Sequence, residues 1–192
     1  MGVGSDRPTP SPFYPRGALP RAMRIALDGW KAHIKFSAAH AIAGHPKCGR
    51  LHGHTYAVHA VVHGDAGDDE MVFDFGIVKR HLRKIADGLD HKFIVPEKAA
   101  TRVGRDVEVR LGAKTYRVPA SDVALVAVQA SSAERLAEFF ARSLVASVAF
   151  PPSVHAIEVG VDEGPGQGAW VELALPTRAG RRVRPTKAKG AR

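Results

Sequence analysis

The chain has 192 residues, 45% of them hydrophobic, which is enough for a sizeable core and excludes a natively disordered polymer. A single cysteine excludes an intramolecular disulfide, and no apolar run is long enough to span a bilayer, so the expected compartment is the cytoplasm. The net charge of +9 is uneven: residues 1–24 carry +3 and residues 178–192 carry +7, leaving −1 for the rest. Basicity at the ends alone makes nucleic acid an improbable main partner and leaves room only for nonspecific contact by a tail.

Residues 1–22 hold prolines at 8, 10, 12, 15 and 20 and read as a disordered extension. From Ile25 to His40 apolar residues alternate with Lys31, His33, Lys35 and Ser37, the period of a strand whose apolar face leads to His40. Gly44, Pro46 and Gly49 mark a loop. In the next strand His52, His54, Tyr56, Val58, Ala60 and Val62 share one face, while His59 and His63 point the other way with the surface or a partner as their expected setting. Three histidines on one side of this hairpin offer three nitrogen ligands and leave a fourth position open, the arrangement of a catalytic rather than a structural zinc.

After a turn at Gly64 to Glu70, Asp74 is the expected N-cap of a helix running to about Gly88, and Leu89-Asp90-His91 follows directly. Alternation around Gly112-Ala113-Lys114 predicts a β-hairpin inserted within residues 97–128. Ser131-Ser132-Ala133-Glu134 has capping-box spacing and opens a second helix, stopped by Pro151-Pro152. Two closing strands, Val154 to Val161 and Ala169 to Leu175, flank a loop that holds Glu163. The result is an α+β fold of order ββααββ: a four-stranded antiparallel sheet with two helices on one face and an insertion between the helices. One domain is expected over residues 23–177, followed by a basic, disordered tail at 178–192.

The ordered set Phe36-Ser37-Ala38-Ala39-His40, Cys48-x-x-x-His52-Gly53-His54, Phe73-Asp74-Phe75-Gly76, Leu89-Asp90-His91 and Glu163 resembles the 6-pyruvoyltetrahydropterin synthase family. The short gap between Cys48 and His52 is similar to the 6-carboxy-5,6,7,8-tetrahydropterin synthase branch. The resemblance covers about residues 25–175 apart from the insertion. It implies the tunnelling fold (T-fold) and a homohexamer made of two trimers, with sites between subunits. It also implies that His40, His52 and His54 hold Zn2+ and that Cys48 moves a proton at the substrate side chain. Asp90 would orient His91 as partner acid or base, and Glu163 would accept hydrogen bonds from the pterin amino group and ring N–H. A thiol of ordinary pKa needs nearby positive charge for that work.

The implied reaction converts 7,8-dihydroneopterin triphosphate to 6-carboxytetrahydropterin, releasing acetaldehyde and triphosphate for 7-deazaguanine (queuosine or archaeosine) synthesis. The alternatives are a pyruvoyl-forming or other side-chain lyase of the same fold, or a non-catalytic RNA-binding protein that keeps zinc for structure. Taken singly, Asp90-His91 also fits a helix end, and capping alone accounts for Glu134. Lys47 and Arg50 are candidates for the triphosphate.

Overall fold

A computed structural model describes residues 23–67 and 69–176. The expected extension at 1–22 and the tail at 178–192 lie outside the described residues. No helix among the described residues is long and apolar enough to cross a membrane.

The first expected strand is two strands. β1 (Met23–Leu27) and β2 (Lys35–His40) lie end to end along the same edge of β3 (His52–Gly64), Leu27 opposite Ala60 and Lys35 opposite Ala57. Residues 28–34 leave the sheet between them. Asp28 Oδ1 accepts the Trp30 N–H, and Trp30 Nε1 donates across the sheet to Asp162 at 2.8 Å. The alternation through Trp30 and Ala32 therefore belongs to a tied-down turn, because side-chain hydrogen bonds offered the backbone a closed alternative to the ladder.

Helix α1 (Phe75–Asp87) starts where Asp74 accepts the Gly76 N–H, as expected, and buries Val78, Leu82 and Ala86. β4 (Lys92–Pro96) then pairs in parallel with β2. The insertion is larger than a hairpin: β5 (Ala100–Val103), β6 (Asp106–Leu111) and β7 (Lys114–Pro119) make a separate antiparallel sheet, and β8 (Val123–Val126) returns beside β4. The expected hairpin is its β6–β7 half. Helix α2 (Ala133–Ser147) has Ser132 as N-cap without a side-chain cap bond, so the capping box does not form. Ser131 is instead buried, its hydroxyl donating to the Ala41 carbonyl.

β9 (Val154–Asp162) and β10 (Gly168–Ala174) close the main sheet. Its order is β10-β9-β3-β2-β4-β8, with β1 also on β3, so the expected strands make up one side of a seven-stranded sheet that β4 and β8 extend at the other. Both helices pack on one face, where Phe36, Tyr56, Val58 and Val62 meet Leu82, Leu136, Phe140 and Leu144. Burying such side chains contributes about 1.5–3 kcal/mol each, so this layer is the main source of stability. A second apolar cluster joins Ala41, Phe93 and Val95 to Val107, Val109 and Leu111 and seats the inserted sheet. On the other face of β3, His59 is bonded to Asp162 and His63 to Glu158.

Candidate metal centre and active-site cleft

The pleat of β3 places His52 and His54 on one face, and β2 pairs His40 opposite His52. One nitrogen from each of the three rings lies within 4.8 Å of the others, and Nε2 of His40 and of His52 are 3.2 Å apart. Two nitrogens on one tetrahedral zinc are separated by roughly 3.4 Å, so this pair fits a shared ion.

The backbone sets which ring atoms face inward. His40 Nδ1 donates to the Ser131 carbonyl at 2.6 Å, and His52 Nδ1 donates to the Arg50 carbonyl at 2.7 Å. Each bond fixes the tautomer that leaves Nε2 with a free lone pair, the outer support that metal-binding imidazoles generally have. Burial, first of all, lowers the His40 pKa to about 4, and the neighbouring His52 and His54 add to the effect against the Ser131 carbonyl. His54 is lowered by burial and then by His52. Neutral imidazole is the ligand form, so the site holds these two rings ready. His54 Nε2, Tyr56 Oη and Glu163 Oε1 are buried and have no hydrogen-bond partner among the described residues. Orphaned polar atoms gathered beside three imidazoles are explained by a bound cation and its ligands. The residues fit a zinc ion.

Glu163 lies in the β9–β10 loop with Oε1 3.8 Å from His40 Nε2 and Oε2 3.9 Å from His54 Nε2. Burial raises its pKa; the approach of His52 opposes that, and Glu134 adds to it. Cys48 is half-buried on the loop before β3. Its N–H donates to His45 Nδ1 at 2.9 Å, and its carbonyl accepts the Ile42 N–H at 2.8 Å.

Cys48, His52, His54, Glu134 and Glu163 line one open cleft of about 640 Å³, a size suited to a small heterocyclic ligand. Lys47 and Arg50 line it too. Asp90 and His91 do not. His91 has a largely exposed side chain and lines a separate shallow groove that shares only His54 with the cleft. The dipeptide is nevertheless held: Asp90 Oδ1 accepts the Ser37 N–H at 2.7 Å, and the His91 N–H donates to the Ser37 carbonyl at 2.7 Å. The Ser37 N–H, with the His91 contact behind it, keeps the Asp90 carboxyl below its usual pKa range. The second carboxylate oxygen takes His91 Nδ1 at 2.8 Å, leaving Nε2 outward. His91 has φ +57°, a costly conformation for a non-glycine residue that the paired bonds to Ser37 enforce.

The supporting residues were the least visible. The Ser131 carbonyl acts through a hydrogen bond between segments whose apposition no local pattern announces, whereas His45 lies three residues before Cys48 on the same loop.

The profile of the family described as 6-pyruvoyl tetrahydropterin synthase matches residues 30–174. A Methanocaldococcus jannaschii protein provisionally named 6-carboxy-5,6,7,8-tetrahydropterin synthase is 37% identical over 164 residues, covering 81% of this chain and all of that protein. The Haemophilus influenzae 6-carboxy-5,6,7,8-tetrahydropterin synthase is 34% identical over 94 residues, 45% of this chain and 66% of that protein. The crystal structure of 6-pyruvoyl tetrahydropterin synthase from Plasmodium vivax superimposes with a TM-score of 0.74 at 27% identity, over 81% of this chain and all of that one.

Proposed function

Because the chain belongs to the 6-pyruvoyl tetrahydropterin synthase family and is a pterin-side-chain lyase with that family's fold, we propose that it makes 6-carboxy-5,6,7,8-tetrahydropterin. Its substrate would be 7,8-dihydroneopterin triphosphate. One water is consumed, the bond within the three-carbon side chain breaks, and acetaldehyde and triphosphate leave. The observation that carries this reading is the single cleft shared by Cys48 and the imidazoles of His52 and His54, with His40 behind them.

His40, His52 and His54 would hold a zinc ion, which supplies Lewis acidity toward the side-chain hydroxyls and makes their protons easier to remove. Cys48 is the base at the side-chain carbon, carried there by a loop closed through Ile42 and His45. Glu163 presents two oxygens to the paired N–H donors of the pterin, one of which supplies the partner that its buried Oε1 otherwise lacks. Lys47 and Arg50 face the cleft where the triphosphate enters. Asp90 fixes the His91 tautomer, and His91 Nε2 moves the second proton. Since His91 lines a different groove from Cys48, the two meet in the assembly only if neighbouring copies complete each other's sites. That is the reason for proposing the homohexamer of two trimers.

The identity to proteins named for the carboxy product favours that product, with 7-deazaguanine synthesis in the cytoplasm as its destination. Incubating purified protein with 7,8-dihydroneopterin triphosphate and resolving products by mass spectrometry tests it. Carboxytetrahydropterin with acetaldehyde is expected; a pyruvoyl product, or unchanged substrate, would refute the assignment.

A further inference from the structure

We propose that the inserted three-stranded sheet is a brace for the Cys48 loop, with Lys114 as its point of contact. The loop between Ala41 and Arg50 turns tightly on itself. Ile42 N–H donates to the Cys48 carbonyl at 2.8 Å, and Gly49 N–H donates to the His45 carbonyl at 2.9 Å. A Cβ on Gly49 would stand 2.5 Å from the His45 carbonyl oxygen and 3.3 Å from that of Ile42, so only glycine permits this return. The Gly49 carbonyl, next to Cys48, then points outward and accepts a hydrogen bond from Lys114 Nζ at 2.6 Å.

Lys114 is placed for this by the inserted sheet. It begins β7, directly after the two-residue turn Gly112-Ala113, where Gly112 adopts φ +63° and Leu111 pairs with Lys114. Behind the turn, Val107, Val109 and Leu111 are buried against Phe93, Val95 and Ala41, the last being the root of the Cys48 loop. The other side of that root is fixed by the Ser131 hydroxyl on the Ala41 carbonyl. The loop is thus gripped at its base by a packed cluster and at its far end by one charged hydrogen bond from the same sheet. Lys114 is a positioning residue; it acts on the reaction through the backbone beside Cys48. Its bearing on turnover rests on the function proposed above, whereas its hold on the loop does not.

The test compares the full chain with Lys114→Met and Lys114→Arg. Amide hydrogen exchange at Ile42 and Gly49 should quicken about five-fold in the Met variant, as expected for losing one exposed charged hydrogen bond. Exchange at Val58 in β3 and the melting temperature should stay unchanged, and Arg should restore the slow exchange. With 7,8-dihydroneopterin triphosphate, kcat should fall by a similar factor in the Met variant while KM holds. Unaltered exchange in the Met variant would overturn the brace, whatever the substrate proves to be. Quickened exchange with unaltered kcat would overturn the positioning of Cys48.

Discussion

At the residue scale, the site depends on burial that disfavours protonation of His40 and His54 and on carbonyls that aim His40 and His52. If the three rings share one ion, His52→Ala should lower bound zinc from about one per chain to near zero, read by metal analysis of the purified variant, because two imidazoles make a weak site. Retained stoichiometric zinc would exclude the assignment. The metal-free protein should also show the cost of the buried ring. His40 is fully buried, with its pKa lowered to about 4 from an ordinary 6.5. Above pH 6.5 both states are neutral there, so His40 adds no pH dependence. As pH falls from 6.5 to 4 the unfolded chain takes up a proton that the folded chain refuses, and stability drops; below 4 both are protonated and the slope ends. The full loss is about 3 kcal/mol. Denaturant unfolding of the metal-free protein at several pH values checks this, and His40→Gln should remove that part of the slope.

At the element scale, stability and chemistry come from different layers. Phe140 in α2 is fully buried and stacks on Phe36 of the strand that ends at His40. Phe140→Ala should cost about 3–5 kcal/mol in denaturant unfolding, through lost burial and the cavity left behind. This layer was legible in advance because its signals are local. Period two put Tyr56, Val58 and Val62 on the face of His52 and His54, which α1 and α2 cover. The helix cap at Asp74 was equally readable. What the chain concealed were choices between segments distant in sequence. Alternation through Trp30 looked continuous because the partner that ends it, Asp162, lies over a hundred residues away. Ser131 looked like half of a capping box because nothing nearby in the chain reveals the Ala41 carbonyl that its hydroxyl takes instead. The same limit applies to β4 and β8. Their parallel pairings with β2 and with each other cross long connections, and short apolar runs such as Phe93-Ile94-Val95 do not specify a partner.

At the scale of the whole molecule, the proposed catalytic groups of one chain are divided. Cys48 faces the cleft with Glu163, while His91 stands exposed over a groove on the far side of His54. Among the described residues no hinge lies between them: Cys48 sits on a hydrogen-bonded loop, and the Asp90-His91 turn is tied to Ser37 in the main sheet. Movement within a chain is therefore a poor way to bring the thiol and the imidazole to one substrate, which is why contribution from two chains is the proposal put to test. A closed ring would also cover β10 and β8, which end the strand order of the main sheet, since pairing between copies satisfies exposed backbone groups that otherwise invite aggregation. A mixing experiment decides the point. Cys48→Ala and His91→Ala chains should each be inactive alone. Unfolded together, mixed in equal amounts and refolded with zinc, they should regain about a quarter of wild-type turnover, since random pairing gives one interface in four both intact groups. Sites complete within one chain would regain none, because every chain in the mixture then lacks one group. Zinc content equal to wild type in both single variants separates this result from loss of the metal centre.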